Sequence, residues 1–243
     1  MLKNYMHKRE RHFAMLTDDR VVQPFGWGVE FISDHVNGGD PQKILSEFSH
    51  RVVANSDEYF AEPEKVEFRF EKRLHVADAP GMNSARNHNV QKREVETLTW
   101  QSAVKTPSDE NDIALATYFP HENKRAAVII LPHWNAQAGT YFDLAKHFNK
   151  VGFSALRLTL PYHEVRMPQG LTRADHLVAP NVGRSLQSIT QAVSDTRASV
   201  TWLKQQGYEK IGIVGTSIGS CVAFLSFVHD MRIDAAVFNH VSG

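Results

Sequence analysis

The sequence predicts an α/β fold, a mostly parallel sheet with flanking helices, and three observations carry that prediction. The run Ala126-Ala127-Val128-Ile129-Ile130-Leu131 is apolar at every position, as a strand buried on both faces of a parallel sheet must be. After it, helix-period and strand-like segments alternate to the end of the chain, the pattern of strands joined by helical crossovers. Before it, two segments of period-two alternation are separated by Pro107-Ser108-Asp109, which reads as an antiparallel hairpin.

Residues 1–90 form an N-terminal extension of unassigned role, punctuated by Pro24, Gly26, Gly28, Gly38, Gly39, Pro41, Pro63, Pro80 and Gly81. Within it, 42–48 reads as a short helical turn and 66–70 alternates as an edge strand would. Residues 77–89, rich in Gly, Pro, Asn and Ser, read as a loop or linker. The core occupies 91–243. Its hairpin strands are expected at 94–100 and 112–119, followed by the buried strand at 126–131. A helix at 141–151 is stopped by Gly152, a strand follows at 153–160, and a long helix at 185–206 is closed by Gly207. A strand at 210–214, a helix at 217–229 and a strand at 233–239 complete the alternation.

Composition narrows the function classes. The 243 residues carry 27 Lys+Arg and 27 Asp+Glu, a formal net charge of zero, so no long-range field gathers nucleic acid or an anionic membrane. No apolar segment approaches the ~20 residues of a membrane span, and the N-terminus lacks the apolar stretch of a secretory signal. The single cysteine, Cys221, rules out an intrachain disulfide framework and fits a reducing, cytoplasmic location. Composition carries no signal on oligomeric state.

The chemistry is concentrated in Gly215-Thr216-Ser217-Ile218-Gly219. This Gly-x-Ser-x-Gly lies between an Ile/Val strand and an apolar helix, which is the context of a nucleophile elbow. A serine hydroxyl is a weak nucleophile, and a sharp strand-to-helix turn lifts it clear of the sheet, where a base can activate it. The turn strains the serine backbone and draws strand and helix together, so Gly215 and Gly219 answer a steric need. Other polar residues fall at the same carboxyl ends of strands, where parallel sheets bind ligands: His133, Tyr162, His163 and His240 are candidates to line a pocket. The long connection 163–184 reads as a lid or binding loop. Its cations, Arg166, Arg173 and Arg184, offer receptors for an anionic substrate group, against the plainer reading of a solvated loop. His133, His163 and His240 show no His-x-x-x-His or His-Cys spacing, so neither a metal nor another cofactor is expected.

A hairpin, then alternating strands and helices with Gly-x-Ser-x-Gly after the fifth strand, resembles the α/β-hydrolase superfamily over residues 94–243. Within it the order of elements is similar to esterases, lipases and dienelactone-hydrolase-like enzymes. The resemblance implies a serine hydrolase that cleaves an ester, thioester or related acyl bond of a small molecule, with Ser217 as nucleophile. It also implies an oxyanion hole built from the backbone amides of Ile218 and of Trp134, with Asn135 the alternative to Trp134. In the superfamily an acid and then a histidine follow the nucleophile. Here Asp230 and Asp234 flank the entry to the last strand and fall at the wrong end of the sheet, and no acid is placed to orient His240. The reading is therefore of a chain truncated after its sixth strand, with its remaining triad members beyond residue 243 and little activity alone. The competing expectation is a non-enzymatic binding or scaffold protein with the same fold.

Overall fold

The computed structural model describes residues 2–15, 23–32, 39–77 and 91–239. Its helices are α1 (Leu2–Met15), α2 (Pro41–Ala54), α3 (Ser56–Tyr59), α4 (Phe142–Lys150), α5 (Val182–Gln205) and α6 (Ile218–His229). Its strands are β1 (Arg69–Ala77), β2 (Gln91–Gln101), β3 (Ile113–Phe119), β4 (Ala126–Leu131), β5 (Ser154–Thr159), β6 (Lys210–Thr216) and β7 (Ala235–Asn239). The seven strands form one mixed sheet in the order β1-β2-β3-β5-β4-β6-β7. β1, β2 and β3 run as an antiparallel meander, β3 lies antiparallel to β5, and β5, β4, β6 and β7 are mutually parallel.

The uniformly apolar run is β4, and its two faces feed two cores. Ile129 and Leu131 pack with Leu156, Leu158, Val200 and Leu203 on the side covered by α5 and α6. Val128 and Ile130 pack with Ala145 of α4 and Ala155 on the other side. Each fully buried aliphatic side chain in this layer stabilises the fold by about 1.5–3 kcal/mol.

The N-terminal extension is tied to this core. β1 pairs with β2 from Arg69↔Thr99 to Ala77↔Gln91 and is an edge strand of the sheet, three residues later than its alternation indicated. α2 runs well beyond the expected turn at 42–48, because Asp40 caps it by accepting from the Gln42 N–H and Pro41 starts it. Residues 23–32 cross the start of α5. The Gly26 N–H donates to Pro180 O at 3.1 Å, and Gly26 O and Trp27 O accept from the Val182 and Gly183 N–H groups at 3.0 Å. A Cβ on Gly183 would stand 1.7 Å from Gly28 O, so this crossing requires glycine. α5 begins three residues before its expected start, because the Asn181 side chain accepts from the Arg184 N–H and caps it.

Residues 78–89 of the expected loop and His240 lie outside the described residues. Among the described residues no helix is long and apolar enough to cross a membrane. An apolar groove of 340 Å³, lined in part by Val128, Phe148, Phe153, Val214 and Val237, opens on the α4 side of the sheet. It also reaches Ala126, Lys210 and Asp234, at the amino ends of the strands, away from Ser217.

Candidate active site

β6 ends at Thr216 and α6 begins at Ile218, so Ser217 alone makes the turn between them. It adopts φ 54 and ψ −122, a conformation that costs a non-glycine residue roughly 1–3 kcal/mol. The flanking glycines are required by close backbone approach. A Cβ on Gly215 would lie 2.1 Å from Gly219 O, and one on Gly219 would lie 2.5 Å from both Leu131 O and Pro132 O. The turn is pinned from behind: Ser217 N–H donates to Asn239 O at 3.0 Å, and Ser220 Oγ bonds Gly215 O and Asn239 O at 2.8 Å. Exchanging Ser217 for glycine should therefore raise the melting temperature by about 2–6 °C over the Ser217→Ala variant, the equivalent of about 1–2 kcal/mol of relieved strain. Equal melting temperatures would show that the turn is not strained.

Two backbone donors lie on the segments that meet at this turn. The Ile218 N–H is the first of α6, where a helix offers no internal acceptor. On the other side, β4 runs out into Pro132, His133, Trp134 and Asn135. Asn135 sits in the left-handed region at φ 57, and its N–H donates to His163 Nε2 at 2.7 Å. That bond uses up the Asn135 amide. The Trp134 and Ile218 N–H groups have no hydrogen-bond partner among the described residues. Trp134 itself is anchored by its indole, which donates to Ala174 O at 2.9 Å while Arg173 stacks on the ring at 4.6 Å.

Of the three pocket candidates among the described residues, only His133 stands at the rim. It is half-buried, its Nδ1 is 2.8 Å from the Tyr141 hydroxyl, and burial with the nearby Arg157 charge lowers its pKa. Tyr162 and His163 are each only 1% exposed, which corrects their assignment to an open pocket. The chain turns inward after β5, with Tyr162 at φ 62 and its N–H donating to Asn111 Oδ1 at 2.8 Å. His163 is wedged behind the β4 loop, and its Nδ1–H donates to Pro161 O at 2.9 Å. Among the described residues no group of three or more side chains is placed to hold a metal ion.

Burial holds the His163 ring neutral, lowering its pKa from 6.5 to about 4. The unfolded chain therefore takes up this proton first as pH falls. The contribution is complete above the unfolded pKa of 6.5 and is lost progressively as pH falls to about 4, a change of about 3 kcal/mol. Urea unfolding at pH 7 and pH 4.5 should show that decline in the wild type and a smaller one in His163→Gln. Equal declines would place the titration elsewhere.

One of the binding-loop cations is also corrected. Arg166 is 0% exposed and pairs with Asp195 at 2.9 Å, so it cannot receive a substrate anion. Arg184 lies 2.6 Å from His176 Nε2 and stacks on Phe31. Arg157, which pairs with Glu164 of the binding loop at 2.5 Å beneath the rim, was missed by pattern. A charged residue in the otherwise uncharged strand Ser154–Thr159 was the available signal.

The described histidine and acids that follow the elbow are remote from it. His229 ends α6, on the order of 17 Å from its start at 1.5 Å per residue, and bonds Asp57 at 2.7 Å. Asp230 is held by Arg197 and Arg232. Asp234 accepts from the Ile211 N–H at the start of β6, at the opposite end of the sheet from Ser217.

Residues 113–242, more than half of the chain, match the dienelactone hydrolase family. The chain belongs to that family. Similar solved structures include the α/β hydrolase GrgF from Penicillium sp. sh18, at 20% identity and a TM-score of 0.43 over 58% of this chain and 43% of that one. A carboxyl esterase from Bacillus coagulans is similar at 16% identity and a TM-score of 0.39, over 58% and 42%. A cold-adapted esterase from an Arctic intertidal metagenomic library is similar at 17% identity and a TM-score of 0.39, over 72% and 61%. The chain thus spans less than half the length of the first two. No curated protein sequence matches it.

Proposed function

We propose that the protein is a serine hydrolase acting on an ester, thioester or related acyl bond of a small molecule. The observation that carries this reading is the strained backbone of Ser217 between two glycines that admit no Cβ. Strain of this kind persists where function maintains it. The partnerless Trp134 and Ile218 N–H groups support the same reading, and so does family membership, since a lactone is an internal ester.

In this mechanism Ser217 Oγ attacks the acyl carbonyl carbon as its proton passes to a general base. The carbonyl oxygen takes the charge and receives hydrogen bonds from the Ile218 and Trp134 amides, each worth about 3 kcal/mol to the transition state. The tetrahedral intermediate expels the leaving group, and water then releases the acyl group from Ser217. No base or carboxylate is assigned here: His229, Asp230 and Asp234, the described histidine and acids that follow the elbow, lie too far from it.

A fluorophosphonate probe should label the full-length protein at Ser217, located by peptide mass spectrometry, with labelling abolished in Ser217→Ala. A folded protein that does not label overturns the proposal and favours a binding protein.

A further inference from the structure

The connection after β5 contributes a group to the candidate site without reaching it. We propose that His163 is a positioning residue, which engages the Asn135 N–H and so leaves the Trp134 N–H as the loop's donor to the acyl oxygen. This inference rests on the serine-hydrolase reading of Ser217.

Two successive amides, those of Trp134 and Asn135, are candidates for the second oxyanion donor. Rotation of the peptide plane between Trp134 and Asn135 would swing the Asn135 N–H toward or away from the cleft, so something must hold the loop in one arrangement. His163 does this with both ring nitrogens. Its Nδ1–H donates to Pro161 O at 2.9 Å, which fixes the tautomer and leaves Nε2 as an acceptor for the Asn135 N–H at 2.7 Å. The far side of Asn135 is clamped as well, since its Oδ1 accepts from the Ala174 N–H at 3.2 Å. These bonds hold Asn135 in its left-handed conformation at φ 57. The loop and the elbow are in direct contact, because the carbonyls of Leu131 and Pro132 pack against Gly219. A shift in the loop is therefore a shift in the distance between Ser217 and its oxyanion donor.

Histidine suits the position on chemical grounds. A carboxylate would accept the same N–H but set a full negative charge beside a developing oxyanion. An apolar side chain would leave the Asn135 N–H unpartnered and the loop free to turn. A buried neutral imidazole accepts the bond without adding charge.

The test compares wild type, His163→Leu and His163→Gln in the full-length protein, since glutamine can place an acceptor near the Nε2 position. The readouts are the second-order rate of fluorophosphonate labelling at Ser217, with kcat and KM for a p-nitrophenyl ester. His163→Leu should slow labelling and kcat by about 10- to 100-fold with KM changed less than about twofold, and His163→Gln should recover most of the loss. Wild-type rates in His163→Leu, or a glutamine variant no better than leucine, would overturn the proposal while leaving Ser217 in its role. Failure of the wild type itself to label would remove both readings together. Should His163→Leu not fold, nitrogen-15 NMR of the wild-type imidazole decides. An Nδ1–H tautomer coupled across the hydrogen bond to the Asn135 amide supports the proposal, and an Nε2–H tautomer overturns it.

Discussion

Exchanging Arg166 for methionine is expected to cost the fold about 3–5 kcal/mol, the penalty of leaving a buried charge without its partner. Arg166 is fully enclosed between the exit of β5 and the side of α5. It pairs with Asp195 at 2.9 Å and donates to Asn111 O at 2.7 and 3.0 Å and to Thr159 O at 2.9 Å. Burial pushes the Asp195 carboxyl up in pKa even against the pull of Arg166, so the carboxylate already stands at a cost and depends on its cation. Replacing both members, as Arg166→Met with Asp195→Leu, should recover about half of the loss. The Asn111 and Thr159 carbonyls would still lose their Arg166 donors, at about 1 kcal/mol each, with Asn111 O keeping only the 3.4 Å bond from Gln191 Nε2. Urea unfolding of the three variants measures this pattern. A single Arg166→Met within about 1 kcal/mol of wild type would mean that the pair contributes nothing beyond packing.

Gly219→Ala should destabilise by about 3 kcal/mol or more, the upper range for forcing atoms into a filled interior, and lower the melting temperature by about 6–12 °C. The added methyl meets backbone oxygens of Leu131 and Pro132 at 2.5 Å, and neither strand β4 nor helix α6 can yield without disturbing the sheet. Gly215→Ala should behave alike, because its methyl would meet Gly219 O at 2.1 Å. Gly170 is the control: nothing lies within 4 Å of its would-be Cβ, and only its φ of +95 opposes a side chain. Gly170→Ala should therefore cost roughly 1 kcal/mol. Equal losses at positions 219 and 170 would mean that α6 does not press on the end of β4.

Much of the fold was legible because its signals are short-range. The double-sided burial of β4 follows from six consecutive apolar residues, and the β2–β3 hairpin from alternation about a proline turn. The boundaries that moved did so through groups just outside the periodic pattern, Asp40 for α2 and Asn181 for α5. Carboxyl-end placement was a weaker guide to exposure. It located Tyr162 and His163 after β5, yet the turn at φ 62 sends both inward, and no local pattern announces that direction. The ion pair of Arg166 with Asp195 joins residues 29 positions apart in sequence, beyond the reach of any period.

The sequence by itself determined the succession of strands and helices and the glycine-flanked serine between β6 and α6. Those features are set by side-chain periodicity and by the space a Cβ occupies, which each residue carries with it. Only the tertiary structure decided which amide of the β4 loop stays free, that His163 is a buried acceptor rather than a pocket wall, and that residues 23–32 strap the start of α5. Each of these depends on hydrogen bonds between segments remote in sequence, whose partners are chosen by packing and are invisible until the chain has folded.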